Sequence, residues 1–475
     1  MVKTIRYTLL AAALSFIAPY MVKAQTTPSE KKTDTIARQV MHLMNAHQTD
    51  SLYLLAGEHF KAQFDAATFK NICDNGLYTL TPLSAPIFVG SKNGVNKYKL
   101  DKLQFLISLD KQGKFEVLAV QEYHEDAQKA VKALTDNPLK THLDSVVDKA
   151  ASAYIQTKGN VGVSIAVYSE GADHYYNYGE IKQGNNQLPN RNTLYDIGSI
   201  TKTFTSTLLA MAVNSGKISL KTSITQLLPD SVAANPALKG ITLVQLSNHT
   251  SGLPRLAGNM EQTVTDPNQP YGNYDAAHLF TYLKGFKPTR QPGTQYEYSN
   301  LGAALLGVLL ERVYHQPYAQ LVNIYIIKPT GMNSTGMTIS TADAGRIAQG
   351  YNEELKPVAP WYFKAFQAAG GLKSSAADML RYAKLQLQTG NTPLNKAVKF
   401  THQTTYQDGQ QIVGLGWHYL GKTSKVVQHS GGTGGYRTLI GADLEKDFAV
   451  VVLTNNATSG DALGIELIQA LRTIK

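Results

Sequence analysis

The chain has 475 residues, of which 43% are hydrophobic and 17% charged, and its net charge is +10. That length exceeds one ordinary core and suits two domains, and a composition without long polar or repetitive tracts excludes a disordered chain. One cysteine excludes an intramolecular disulfide, and without a Cys/His cluster neither a metal nor a cofactor is expected.

Read from the start, Lys3 and Arg6 form a basic beginning, Leu9 to Ile17 an apolar stretch, and Val22-Lys23-Ala24 a small-residue end. This is the order of a secretory signal peptide over residues 1–24, so an exported, periplasmic or secreted protein is expected. The apolar run is short for a membrane anchor, which is the competing reading. A lipoprotein is disfavoured because Cys73 lies far from the cleavage site. Losing the leader removes Lys3, Arg6 and Lys23 and no acidic residue, which lowers the net charge from +10 to +7. The remaining Lys and Arg residues are dispersed, so nucleic-acid binding is not expected. Association with an anionic cell envelope is compatible with the charge, and the oligomeric state is left open.

After a polar lead from Thr26 to Lys32, Ile36, Val40, Leu43 and Met44 repeat at helical spacing, as do Phe60 and Phe64. From Ile87 the pattern becomes that of strands. Leu103, Phe105, Ile107 and Leu109 alternate, Asp110-Lys111-Gln112-Gly113 reads as a turn, and Phe115 to Val120 returns. Helices followed by a hairpin-rich sheet predict a small α+β domain over residues 32–123. It resembles the helix-plus-curved-sheet accessory domains of the cystatin-like or nuclear-transport-factor-2-like kind. No residue in it forms a catalytic constellation, so a binding or spacing role is expected. Cys73, in an apolar-spaced stretch, reads as a small buried residue.

A charged segment containing Asn137-Pro138, residues 124–141, is the expected linker. The second domain, residues 142–475, opens with an amphipathic helix marked by Leu143, Val146, Val147, Ala150 and Tyr154. A β-branched strand from Val161 to Tyr168 and a second strand around Tyr175 follow. At the far end Val426–Gln428, Thr438–Ala442 and Phe448–Leu453 read as strands, and Ala462–Leu471 as a closing helix. Strands from both ends with helices between them predict one antiparallel sheet flanked by helices.

Three short motifs carry the chemistry. The first is Ser199-Ile200-Thr201-Lys202, preceded by Gly198 and followed by an apolar, helix-compatible run to Val213. This places Ser199 at a helix start with Lys202 one turn on, on the same face. The helix N-terminus favours negative charge near the serine oxygen, and a desolvated lysine can take its proton. An S-x-x-K pair alone means little, since Ser29 and Lys32 make another. The second motif is Tyr298-Ser299-Asn300, also weak alone because Tyr175-Tyr176-Asn177 and Tyr271-Gly272-Asn273 match it. The third, His429-Ser430-Gly431-Gly432, is the only H-x-G in the chain.

In that order the motifs resemble those of the serine β-lactamase-related, penicillin-binding-protein-like hydrolases: class C β-lactamases and the related D-alanyl-D-alanine carboxypeptidases, D-aminopeptidases and carboxylesterases. The flanks Leu246–Pro254, Pro292-Gly293-Thr294 and Gly370–Ser375 match as well, and the resemblance runs from about Leu143 onward. It implies the β-lactamase/transpeptidase-like α+β fold with an all-helical subdomain, and a small-molecule or peptide substrate. It further implies that Ser199 forms an acyl-enzyme and that Lys202 and Tyr298 share proton transfer. Asn300 would hold substrate or Lys202, and the amides of Ser199 and Gly432 would make the oxyanion hole beside His429 and Gly431.

His249 invites a Ser-His-Asp triad, but the family pattern makes its stretch a structural turn. The best-known β-lactamases carry lysine where this chain has His429. A histidine with a pKa of about 6.5 is mostly neutral at pH 7, so a substrate carboxylate would be held more weakly there. The expectation is therefore a peptidase or esterase, with a β-lactamase as alternative and a catalytically silent binding or sensing protein as the alternative of another class. The loops Leu256–Tyr274 and Asn352–Phe366 are expected to hold specificity, the second either walling the cleft or packing on its own domain.

Overall fold

The computed structural model describes residues 30–92, 94–123, 133–421, 425–458 and 460–474. The expected signal peptide and the first part of the expected linker, residues 124–132, lie outside the described residues. The chain divides into two compact units, Met1–Lys129 and Ala130–Lys475.

In the first unit, helix Glu30–Asn45 turns Ala37, Val40, Met41 and Met44 inward. The short helices to Asn75 add Leu52, Phe60, Phe69 and Cys73 to the same core. Asp65 starts the last of these by accepting the Thr68 amide at 2.7 Å, a standard N-cap. Four antiparallel strands follow in sequential order: Ile87–Lys92, Val95–Leu100, Leu103–Leu109 and Phe115–Glu122. Tyr98, Phe105, Ile107 and Val120 face the helices because alternate strand positions share a face, and a register shift near Leu109 brings Phe115 to the same core. Cys73 is wholly buried, and burial pushes its thiol up to about 11.

The second unit is built on an eight-stranded antiparallel sheet. Its strands run in the order Tyr406–Gln407, Ile412–Val413, His418–Tyr419, Val426–Gly432, Arg437–Asp443, Phe448–Thr454, Gly162–Ser169 and Ala172–Gly179. The late strand Phe448–Thr454 pairs with the early strand Gly162–Ser169, so the sheet is completed from both ends of the unit. Every residue of Phe448–Thr454 is buried, because both faces of the sheet are covered. Val450 and Val452 meet helices His142–Gln156 and Gly460–Ile474 on one face. Val451 and Leu453 meet the large helical core on the other. Thr141 and Asp144 form a capping box at the first of those helices. Residues just before it are tied to the sheet edge: the Gly179 amide donates to Leu134 O at 2.8 Å, and Asn137 Nδ2 to Tyr178 Oη at 2.6 Å.

The helical layer contains Thr201–Asn214 and Asn300–Tyr314, each buried along most of its length. A helix surrounded by protein has no solvated face for polar side chains, so those of Thr201–Asn214 are satisfied internally. Thr203 and Thr207 donate back to the preceding turn at 2.8 and 2.9 Å. Among the described residues, no helix is long and apolar enough to cross a membrane.

Candidate active site

The site lies where helix Thr201–Asn214 begins, beside the end of strand Val426–Gly432. Gly198–Ile200 forms a tight turn leading into the helix, with Gly198 at φ +51°. A Cβ at Gly198 would stand 2.6 Å from Gly432 N, and one at Gly431 only 2.0 Å from Ile197 O. Only glycines allow the turn and the strand to come this close, which brings the amides of Ser199 and Gly432 to one place.

Ser199 is partly exposed and Lys202 is 2% exposed. Lys202 Nζ lies 2.9 Å from Ser199 Oγ and donates to Ala369 O at 2.7 Å. It also lies 4.9 Å from the centre of the Tyr298 ring. Burial pushes the ammonium well below its ordinary pKa, and the positive charge of Arg255 pushes the same way. Among the described residues no carboxylate pairs with Lys202, so no ion pair offsets that loss of proton affinity. Burial raises the Tyr298 phenol to about 12, although the Ser199 hydroxyl and Arg255 oppose the shift.

Tyr298 and Asn300 are held by the stretch around His249. Ser299 caps helix Asn300–Tyr314 by accepting the Gly302 amide at 2.8 Å, and its hydroxyl donates to Pro254 O at 2.7 Å. The Ser299 amide donates to His249 Nδ1 at 3.2 Å, and the Asn300 amide donates to Arg255 O at 3.0 Å. His249, at φ +62°, places its ring 4.4 Å from that of Tyr298. Its Nδ1 is an acceptor here, and among the described residues no carboxylate holds the ring. His249 is thus a buttress for the tyrosine, with no triad geometry. Asn300 Oδ1 is buried without a hydrogen-bond partner.

His429 is 2% exposed, its ring 6.3 Å from Tyr298. Its Nδ1 lies 2.6 Å from Ser430 O, and a carbonyl only accepts, so the proton is on Nδ1 and Nε2 is a bare acceptor. Burial holds its pKa well below the ordinary value, so the imidazole is neutral. All seven expected positions, Ser199, Lys202, Tyr298, Asn300, His429, Gly431 and Gly432, therefore fall in one region of the second unit.

Several neighbours carried no motif and were not read from sequence. His418 sits in the adjoining strand, its ring 5.3 Å from His429 and its Nε2 2.8 Å from Tyr296 Oη. Arg255 follows directly on the Leu246–Pro254 stretch, and its guanidinium lies 5.2 Å from the Tyr298 ring centre. Asp196, three residues before Ser199, is paired in a small two-stranded ladder with Lys373. Lys373 Nζ lies 3.3 Å from Asp196 Oδ1 and donates to Trp361 O at 2.7 Å, while Asp196 Oδ2 accepts the Trp361 amide at 2.9 Å. The signal for Lys373 was its place in the Gly370–Ser375 flank; Asp196 had none beyond lying just before the first motif.

The same pair fixes the aromatic loop. Tyr271 packs against Trp361, Phe363 and Phe366 with ring centres 5.4, 5.0 and 5.2 Å away. Phe363 fills the space beside Gly370, whose Cβ would lie 3.4 Å from the ring, and Trp361 covers Gly434. The two loops singled out in the sequence thus interlock: Phe366 is buried in the core, while Trp361 and Phe363 border the segments that carry Ser199 and Gly432. Among the described residues no group of three or more His, Cys, Asp or Glu is placed to hold a metal ion.

Comparison with known proteins agrees with this geometry. A family model described as beta-lactamase matches residues 147–472. A beta-lactamase of Pseudomonas fluorescens is 30% identical over 285 residues, covering 58% of this chain and 74% of that protein. The D-alanyl-D-alanine-carboxypeptidase/endopeptidase AmpH of Escherichia coli is 28% identical over 337 residues, covering 66% and 84%. Among solved structures, a beta-lactamase/D-alanine carboxypeptidase from Pseudomonas syringae is 25% identical with a TM-score of 0.62, covering 69% of this chain and 99% of that one. The sheet, the helical layer and the expected class C β-lactamase/transpeptidase-like architecture of the second unit agree with that structure. The chain belongs to the β-lactamase family and is a serine hydrolase.

Proposed function

We propose that Ser199 forms an acyl-enzyme with an amide or ester substrate, and that the favoured substrate is a peptide ending in D-amino acids. The observation that carries this reading is the contact of Ser199 Oγ with a buried lysine that has no carboxylate partner among the described residues. Neutral Lys202 takes the hydroxyl proton as the serine oxygen attacks the carbonyl carbon. The Ser199 and Gly432 amides receive the developing oxyanion. Tyr298, a phenol at neutral pH, passes a proton to the leaving amine or alcohol and is resupplied by Lys202. Water then attacks the acyl carbon by the reverse sequence, and Asn300 offers its unpartnered Oδ1 to a substrate N–H.

The relatives include both beta-lactamases and a D-alanyl-D-alanine-carboxypeptidase/endopeptidase. The neutral, buried His429 stands where the best-known β-lactamases carry lysine, and that departure supports the peptidase or esterase side; a C-terminal carboxylate would have to be held elsewhere. A β-lactamase is the second reading, favoured by the names of several relatives. Export to the periplasm or beyond is part of the proposal, resting on the basic and apolar beginning of the sequence, with the first unit as a binding or spacing module.

The test is a hydrolysis panel with a Ser199→Ala control: a D-alanyl-D-alanine peptide, a D-amino-acid anilide, short p-nitrophenyl esters and a cephalosporin. Serine-dependent release of D-alanine supports the proposal. Rapid turnover of the cephalosporin with an inert peptide would replace it by the β-lactamase reading. Silence of the whole panel, with no labelling of Ser199 by a fluorophosphonate or penicillin probe, would point to a binding protein.

A further inference from the structure

Burial disfavours positive charge on the groups at the centre of the site. Lys202, His249 and His429 are each at least 98% buried. The guanidinium groups of Arg437 and Arg255 border the site. Arg437, opposite Gly432 in the ladder, uses its Nη1 on Thr433 O and Tyr436 O at 2.7 and 3.0 Å, so it braces the turn after the strand.

Arg255 is different. Its backbone is pinned, since its carbonyl accepts the amides of Asn300 and Leu301 at 3.0 and 3.1 Å. Its side chain is exposed and lies over the Tyr298 ring at 5.2 Å. Among the described residues it forms no ion pair with a carboxylate. A fixed root, a free planar cation and a position over the proposed proton donor together make an anion anchor.

We propose that Arg255 holds a carboxylate carried by the leaving group of the substrate, so that the site selects acyl compounds whose departing amine or alcohol is anionic. The proposal deepens the acyl-enzyme reading and rests on it. In a C-terminal amino acid the carboxylate carbon lies about 2.5 Å from the departing nitrogen, two bonds away. A leaving nitrogen that receives its proton at Tyr298 Oη therefore keeps that carboxylate close to the Tyr298 side chain, over whose ring Arg255 lies. The cation at this position takes over the charge that His429 lacks.

The experiment compares matched substrates on the full chain, wild type against Arg255→Gln and Arg255→Lys. One pair is a D-alanyl-D-alanine peptide and its C-terminal amide. The other is an aryl acetate with carboxylate on the leaving phenol and its carboxamide counterpart. The quantity read is the ratio of kcat/KM for acid over amide. It is expected to fall about tenfold in Arg255→Gln, as for loss of one charge-assisted hydrogen bond at a solvated site, and to recover partly in Arg255→Lys. Added salt should lower the wild-type ratio and leave that of Arg255→Gln unchanged. A purely structural role would lower both members of each pair and leave the ratio constant, which would overturn the proposal. If the peptides are inert while the aryl acetates keep an Arg255-dependent ratio, the peptidase reading falls and the Arg255 assignment stands.

Discussion

Replacing Gly198 by alanine tests the oxyanion hole with a single methyl group. Two costs follow from the geometry. The residue sits at φ +51°, where a side chain costs roughly 1–2 kcal/mol of backbone strain. The added Cβ would also stand 2.6 Å from Gly432 N and 2.9 Å from Gly432 O. Ordinary contact needs about 3.5 Å, so the turn and the strand must part by roughly 0.5–1 Å. Ser199 N rides on one segment and Gly432 N on the other, and that separation moves one of them out of hydrogen-bond reach of the oxyanion. Loss of one such donor costs about 2.7–4 kcal/mol of barrier, or roughly 100- to 1,000-fold in rate. The assay is the acylation rate of Ser199 by a fluorophosphonate or ester probe, with thermal melting alongside. Gly171→Ala is the control, because Gly171 has φ +77° with nothing within 4 Å of its Cβ, so it bears the strain without the push. Both variants should lose the stability that backbone strain costs, Gly198→Ala should lose more because of the added push, and only Gly198→Ala should lose acylation. A folded Gly198→Ala protein that acylates within threefold of wild type would refute the assignment of these two amides.

Lys202→Met should abolish turnover almost as fully as Ser199→Ala, since nucleophile and base act as one unit, yet melt no lower than wild type. An apolar side chain of similar length avoids the burial that depresses the lysine; a much lower melting temperature, or a mild kinetic defect, would count against the neutral-lysine mechanism. Lys373→Met leaves the Asp196 carboxylate buried and unpaired and should cost about 3–5 kcal/mol in urea denaturation, whereas Asp196→Asn with Lys373→Met should recover much of it. If the single and double variants unfold at the same denaturant concentration, the pair does not hold the Trp361 loop. His402 and His418 are lowered to about 4 by burial, so below about 6.5 the unfolded chain binds protons that the folded chain refuses. Stability is therefore expected to fall as pH drops from about 6.5 to about 4, and His418→Gln should flatten that slope; an unaltered slope in the variant would show that His418 does not contribute.

The parts of this molecule that were legible in its sequence are those where local chemistry has one structural answer. Phe448–Leu453 read as a strand, and its continuous apolar run is covered on both faces of the sheet. Gly198, Gly431 and Gly432 stood in or beside the motifs, and the distances a Cβ would meet explain why no other residue type serves at the first two. What stayed hidden depends on pairing between distant segments. Lys373 is an unremarkable lysine until the chain folds it against Asp196, 177 positions earlier. Arg255 is one exposed arginine among several until the Asn300 and Leu301 amides fix its backbone and its guanidinium lies over Tyr298. His418 has no motif at all and reaches the site only through the register that sets it beside Gln428, next to His429. The division is physical: proton transfer needs Ser199 and Lys202 one helical turn apart, which a sequence records as spacing. A charge that selects substrates needs only to reach the cleft, and many positions in the chain could supply it. The chemistry of this site was therefore readable before its preference, and Arg255 is where the preference becomes measurable.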